Sequence, residues 1–524
     1  MLRASAAAGL TAAVVTAGVP DPARGGGRSG RGADLGPVTV GPQDPRYQEL
    51  TTRSFNGRFV GRPESVRVVG STEQVVRVVD EAVRAGKRIA VRSGGHCFEG
   101  FVDDPAVQVV IDVSEMKGVY YDPAHRAFAV EAGVTLGQLY RTLYLGWGVT
   151  VPGGGCPEVG AGGHVAGGGI GALSRQHGLV VDHLYAVEVV VVDAAGRARA
   201  VVATRDPADP GHDLWWAHTG GGGGNFGVVT RYWLRSPQTR GSAPTGLLPV
   251  PPATLRKGSI SWQWSDLTEA AFGRLVRNFG SIGVSGALPT ALYSGMYLFH
   301  RAAGEIRVEA QVDGGLAGAE RLLGDHLAAI AAGVDAPHVT DQYSTPWLKS
   351  VLSAYMGPGG FRFKTKAGFL RRPWSDRQIS TVHRYLTGPD EFGGAAVYLT
   401  TGGGKVNTVP AGATAMPHRD ALMTAYYEAN WADPEQDDAQ LTWVRELYRD
   451  VYADTGGVPV PGDANAGSFV NYPDVDLADP RWNTSGVAWH TLYYGSNYPR
   501  LREVKARWDP RHVFRHELGV EPAR

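Results

Sequence analysis

Apolar and polar positions alternate with two different periods along the chain. In "VRVVGSTEQVVRVVDEAVRAGKRIAVRSGG" (66–95) a short apolar run is followed by Val75, Val76, Val78, Val79, Ala82 and Val83 at helical spacing, then by a second apolar run. This predicts strand, amphipathic helix and strand, with Ser71 or Thr72 as the N-cap and Gly86 as the stop. "VQVVIDVSEM" (107–116), "YYDPAHRAFAVEAG" (120–133) and "AVEVVVVDAAGRARAVVATR" (186–205) read as strands and hairpins turning at Asp122-Pro123 and Ala195-Gly196. "TLGQLYRTLYLGWG" (135–148) predicts a helix ending at Gly146 or Gly148, and "VVTRYWL" (228–234) a strand. These elements make an α+β region to about 240, closed by the Pro/Gly/Ser-rich stretch 235–254. Strand patterns and helices such as "AGAERLLGDHLAAIAAG" (317–333) then predict a second α+β region to about 460. The aromatic-rich tail 469–514 ends in a helix before Asp509-Pro510.

Length supports the division, because 524 residues are many for a single core. Charge narrows the function. The 51 Lys and Arg balance 51 Asp and Glu, which argues against a nucleic-acid binder with a basic face and against a polybasic membrane anchor. Two cysteines, Cys97 and Cys156, leave one disulfide arithmetically possible but cannot build a disulfide framework or a four-thiolate metal site. The histidines show no ligand spacing, so no metal is expected. The first 36 residues open with Arg3 and a small-residue apolar run, then turn polar. They have the shape of a short signal peptide and resemble part of a twin-arginine signal without its arginine pair. Export and a cytoplasmic chain with a disordered leader both fit this segment. No stretch reaches a membrane-spanning length, so the mature protein is expected to be soluble.

Glycine changes the picture most: 72 residues, about twice the usual share, clustered rather than periodic. "VRSGGHCFEG" (91–100) and "VPGGGCPEVGAGGHVAGGGIG" (151–171) each place a cysteine beside a glycine run, the first also beside His96. Glycine turns next to strands let backbone N–H groups approach a pyrophosphate, although tightly packed loops would use glycine equally well. "GGGKVNT" (402–408) lacks the Ser or Thr that a Walker loop needs after its lysine. Neither "GGHVAGGGIG" (162–171) nor "GGGGGNFGVVT" (220–230) stands where a dinucleotide G-x-G-x-x-G should. Any nucleotide cradle here is therefore of another type. His96 reads as a structural residue or a nucleophile for an electrophilic cofactor ring, Cys97 as a small buried filler.

Together these stretches, with "GLVVDHLYAVEVV" (178–190), "DLWWAHTGGGGGNFGVVT" (213–230) and "YYGSNYPRLREVKARWDPRHVF" (493–514), resemble the berberine-bridge-enzyme-like FAD-linked oxidases of the vanillyl-alcohol-oxidase superfamily. The resemblance spans about 45–515 and looks strongest to sugar-oxidising members of actinobacterial natural-product pathways. It implies a two-subdomain FAD-binding domain from 37–240 completed by 465–524, and a substrate domain, 241–464, presenting an antiparallel sheet over the flavin.

The same resemblance implies FAD held twice, by His96 and by Cys156. Arg92, Ser93, Gly94, Gly95 and Cys97 would line it on one side. Gly153, Gly154, Gly155, Gly160, Gly162, Gly163 and His164, then Gly167, Gly168 and Gly169, would form the second loop. Gly222, Gly223, Gly224, Asn225, Gly227 and Val228 would face it from the far side, with Asn497 nearby. "FVNYPD" (469–474) nominates Tyr472 as the base, and Tyr398 is a second candidate. A phenol ordinarily titrates near 10, so a phenolate base needs a neighbour to stabilise it. The implied reaction is alcohol oxidation on a sugar or glycosylated natural product. Hydride passes to the flavin, O2 serves as acceptor and hydrogen peroxide is released, by a monomer or homodimer. Ile170 stands where hexose-oxidising relatives are expected to carry tyrosine. This favours a more hydrophobic alcohol and keeps open a dehydrogenase or oxidative cyclase of natural-product tailoring.

Overall fold

The helix expected after residue 70 forms over Thr72–Arg84, and Ser71 is the cap, its side chain accepting from the Gln74 amide at 3.4 Å. Val75, Val78, Val79 and Ala82 are buried and Gly86 ends the turn at φ +64°, while Val76 and Val83 pack at the margin. The helix predicted at 135–148 forms over Leu136–Trp147 and closes on Gly148, which is left-handed at φ 68°; Gly146 lies inside it. Thr135 and Gln138 cap its start reciprocally.

The computed structural model describes residues 36–239, 241, 243–354, 361–389 and 392–523, so the leader expected from the sequence lies outside them except for Gly36. Among the described residues no helix is long and apolar enough to cross a membrane. The fold is α+β, and its strands form three sheets among the described residues. The first runs Val38–Val40, Ser65–Val68, Val109–Asp112, Ile89–Arg92, with parallel pairing around Val109–Asp112. The second is antiparallel in the order Val119–Asp122, Ala127–Glu131, Val228–Leu234, Leu184–Val192, Ala198–Thr204. The third has eight antiparallel strands between Thr254 and Gly467.

Strand Met423–Trp431 of this third sheet alternates strictly: Met423, Ala425, Tyr427, Ala429 and Trp431 are buried, with helix Asp437–Val451 packed on the strand. Tyr426, Glu428 and Asn430 face the other way. Register places Tyr297, Tyr398 and Tyr426 opposite one another on three adjacent strands, which makes an aromatic row across that second face. The short edge strand Asn465–Gly467 pairs with strand Arg362–Leu370, so the C-terminal segment leaves this sheet directly into the loop carrying Tyr472.

Candidate active site

A cavity of about 420 Å³ opens where the ends of the first two sheets meet the aromatic face of the third. The 93–98 loop that follows strand Ile89–Arg92 forms one wall. The 154–164 segment forms a second, 222–227 a third, and the C-terminal segments 469–473 and 514–518 close it. Tyr426 comes from the eight-stranded sheet.

The glycines of these walls divide into two kinds. At Gly94 a Cβ would lie 2.5 Å from the Gly160 amide nitrogen, so this glycine lets two loops touch. At Gly155 and Gly163 a side chain would meet nothing within 4 Å, and at Gly223 the nearest atom is the Gly163 Cα, 3.8 Å away. These positions present bare backbone to the cavity, and any side chain would fill it. The N–H groups of Gly94, Gly95, His96 and Cys97 meet no acceptor among the described residues, although the Gly95 carbonyl accepts from Phe55. A run of half-buried, unpaired amides calls for an anionic ligand. His516 also lines the cavity, stacked on Phe101 at 4.4 Å, and neither ring nitrogen completes a hydrogen bond there. Burial holds its pKa down at about 4, so the ring is neutral. Free amides, open glycines and an unpartnered imidazole suit a pyrophosphate-linked dinucleotide.

His96 and Cys156 meet at this cavity, with Nε2 3.5 Å from Sγ. Phe55 stacks on the imidazole at 3.7 Å between centroids, which fixes the ring plane. Burial lowers the His96 pKa to about 4, leaving a neutral, nucleophilic imidazole. Burial, with a hydrogen bond to the Glu158 carboxylate at 3.0 Å, pushes the Cys156 thiol up to about 12. Both cysteines are free, and Cys97 is held protonated by burial. Tyr472 stands across from them, stacked on Phe98 (5.6 Å, 2° between planes) and edge-on to Tyr426 (5.0 Å). Its hydroxyl has no hydrogen-bond partner among the described residues. Burial, with Tyr293, Glu428 and Cys156 adding to it, pushes its pKa up to about 12. The cationic neighbour that a phenolate would need is missing from its surroundings among the described residues.

Of the other residues expected at the site, Ser93, Gly154, Gly162, Gly222, Gly224, Asn225 and Gly227 line the cavity. Arg92 lines it too, but its guanidinium is committed to buried Asp112 at 2.8 Å. His164 accepts from the Gly154 amide at 3.2 Å and so shapes the loop. Seven lie behind the lining. Gly153 packs under Tyr140, Gly167 against Asn471, and Gly168 and Gly169 carry the positive φ of a turn. Val228 is in its strand, Asn497 donates to the carbonyls of Ala411 and Thr414, and Tyr398 sits one strand beyond Tyr426. Ile170 does reach the cavity. Phe98, Tyr426, Asn471 and His516 also line it without having been singled out from the sequence.

A buried ionic cluster ties these walls together. Lys364 Nζ lies 2.5 Å from Glu99 and 2.7 Å from Asp474, and Lys366 Nζ 2.6 Å from Asp474 and 2.9 Å from Asp476. Arg445 reaches Asp476 at 2.9 Å. Glu99 is on the loop of His96, Asp474 and Asp476 follow Tyr472, and both lysines are on strand Arg362–Leu370. Three cations face three carboxylates, so the cluster is neutral as a whole. Burial would depress the Lys364 ammonium, but Asp474, Glu99 and Asp476 outweigh it and hold the pKa above the ordinary lysine value.

Residues 63–200 match the family model described as "FAD binding domain", and residues 468–521 match "Berberine and berberine like". The aclacinomycin-N/aclacinomycin-A oxidase of Streptomyces galilaeus is 54% identical over 99% of this chain and 97% of the relative. The crystal structure of aclacinomycin oxidoreductase superposes with a TM-score of 0.91 at 55% identity, covering 93% of this chain and all of the other. That of glycopeptide hexose oxidase DBV29 complexed with teicoplanin gives 0.91 at 52% identity, over 93% and 99%. With the free amides and open glycines of the cavity, and relatives matched over nearly the whole chain, the protein belongs to the berberine-bridge-enzyme-like family of FAD-linked oxidases.

Proposed function

We propose that this enzyme binds FAD through two covalent links, at His96 and Cys156, and oxidises a secondary alcohol on a glycosylated natural product with O2 as acceptor and hydrogen peroxide as product. The observation that carries this reading is the convergence of His96, Cys156 and Tyr472 on one cavity whose glycines and amides suit a dinucleotide. The residues 37–240 and 465–524 would hold the cofactor, and 241–464 would supply the substrate face.

Bound FAD supplies a two-electron acceptor for the hydride of the alcohol carbon. The chain supplies the rest. Phe55 and Phe98 hold the His96 and Tyr472 rings in place by stacking. Tyr472 turns an unpartnered hydroxyl into the cavity, positioned to take the proton of the alcohol. Tyr426, the member of the Tyr297, Tyr398 and Tyr426 row that reaches the cavity, gives the sugar an aromatic surface to lie on. Ile170, Phe469 and Val470 keep the reacting end apolar and exclude water. Ile170 favours a deoxygenated sugar or a hydrophobic alcohol over a free hexose.

The test is the intact mass of acid-denatured protein, followed by anaerobic mixing with aclacinomycin A, teicoplanin and glucose in turn. The added mass of one FAD and bleaching by a glycosylated compound, with peroxide formed on admitting air, are expected. An apoprotein mass from a flavin-replete host, or no bleaching by any alcohol tried, overturns the corresponding half of the proposal.

A further inference from the structure

We propose that Tyr426 and Glu428 are the proton-accepting pair of this site, so that the proton leaving the alcohol ends on the Glu428 carboxylate. This inference rests on the alcohol-oxidase reading above and adds where the proton goes.

Tyr426 lines the cavity and its hydroxyl donates to Glu428 Oε2 at 2.7 Å. Asn430 Nδ2 donates to the other oxygen, Oε1, at 2.9 Å. The carboxylate is thus oriented from its own strand by one donor on each oxygen. The groups facing it from the neighbouring elements are Tyr398 on strand Ala396–Thr401, Thr365 on Arg362–Leu370 and Tyr472 on the C-terminal loop. All are uncharged hydroxyls, and no Lys, Arg or His forms an ion pair with Glu428 among the described residues. Burial raises its pKa above the ordinary glutamate value, towards the range in which a carboxylate serves as a base.

With its proton committed to Glu428, the Tyr426 oxygen turns only lone pairs to the cavity and acts there as an acceptor. Tyr472 has the complementary need. Its phenol is buried, protonated and unpartnered, so it can accept the alcohol's proton only while passing on its own. Its ring stands 5.0 Å from that of Tyr426. The alcohol O–H bond breaks and its proton goes to the Tyr472 oxygen. The Tyr472 proton moves to Tyr426, a transfer that requires the bound alcohol to bring the two hydroxyls into hydrogen-bond contact, and the Tyr426 proton moves to Glu428 Oε2 along the existing bond. The alcohol C–H pair leaves as hydride for the FAD, and C–O becomes C=O. Glu428 ends as a neutral acid, which returns its proton to solvent before the next turnover.

The test compares the holoenzyme with Glu428→Gln, Glu428→Ala, Tyr426→Phe and Tyr472→Phe. Each is mixed anaerobically, between pH 5 and pH 9, with whichever compound bleaches the parent, aclacinomycin A first. Glu428→Gln keeps the size and a hydrogen-bond acceptor but cannot take the proton. Bleaching should slow by about a hundredfold in this variant and in Tyr426→Phe. The fall in rate at acid pH, set in the parent by protonation of Glu428, should disappear in Glu428→Gln, and formate should restore part of the rate to Glu428→Ala. Parental rates in Glu428→Gln with loss in Tyr472→Phe overturn the inference and leave the oxidase reading standing. A uniform loss across pH, with no formate rescue, also overturns it, because a packing defect behaves that way. Failure of every alcohol to bleach the parent overturns both.

Discussion

Replacing Lys364 by methionine isolates what the buried cluster contributes. The side chain is 2% exposed and its partners Glu99, Asp474 and Asp476 are 4%, 1% and 3% exposed. Methionine matches the aliphatic stem, so the change is chiefly electrostatic: Lys366 and Arg445 are left facing three carboxylates. An uncompensated buried charge of this kind costs about 3–5 kcal/mol. At an unfolding entropy of about 1 kcal/mol/K for a chain of this size, the melting temperature should fall by about 3–5 °C at a fixed scan rate.

Adding Glu99→Gln restores the balance at two against two, and the double variant should recover about half of that loss. The pH dependence has a definite sign. For Asp476 burial raises the pKa, but Lys366, Lys364 and Arg445 outweigh it and hold it far below the ordinary value. Its contribution is therefore present above about pH 4 and is lost only as pH falls through the depressed folded value. Without Lys364 a carboxylate of the cluster titrates upward and binds a proton more readily folded than unfolded. The deficit of Lys364→Met should accordingly narrow from pH 7 to pH 5. A double variant that melts no higher than the single, or a deficit unchanged between the two pH values, would refute the charge-balance argument.

Three further outcomes are expected. His96→Ala and Cys156→Ala should each still carry one FAD mass after denaturation, while the double variant should carry none. Gly223→Val, which aims a side chain into open space beside Gly163, should purify without flavin absorbance yet melt within a few degrees of the parent apoprotein. Ser71→Ala should cost about 1 kcal/mol through loss of the Gln74 cap, lowering the melting temperature by about 1 °C with the flavin spectrum unchanged.

Much of the N-terminal half was legible from periodicity, because its elements are local. Helix Thr72–Arg84 carries its own cap, stop and apolar stripe within about fifteen residues, and the hairpin Leu184–Val192 with Ala198–Thr204 turns on Gly196 at φ +81°. The cavity was legible only through the motifs that carry the family resemblance, since glycine runs beside strands suit tightly packed loops as well as a nucleotide. What local pattern could not supply was register and partnership between distant segments. The alternation of 423–431 assigns Tyr426 and Glu428 to one face of a strand, but only the eight-stranded sheet decides that this face covers the cavity. Glu99, Lys364 and Asp474 are separated by more than a hundred residues at each step, and nothing in their own neighbourhoods marks them as one charge cluster. Likewise, glycines 94, 155 and 223 look alike in the chain. The tertiary packing alone separates the one that lets two loops touch from those that face a ligand, because the difference lies in what stands opposite the missing Cβ.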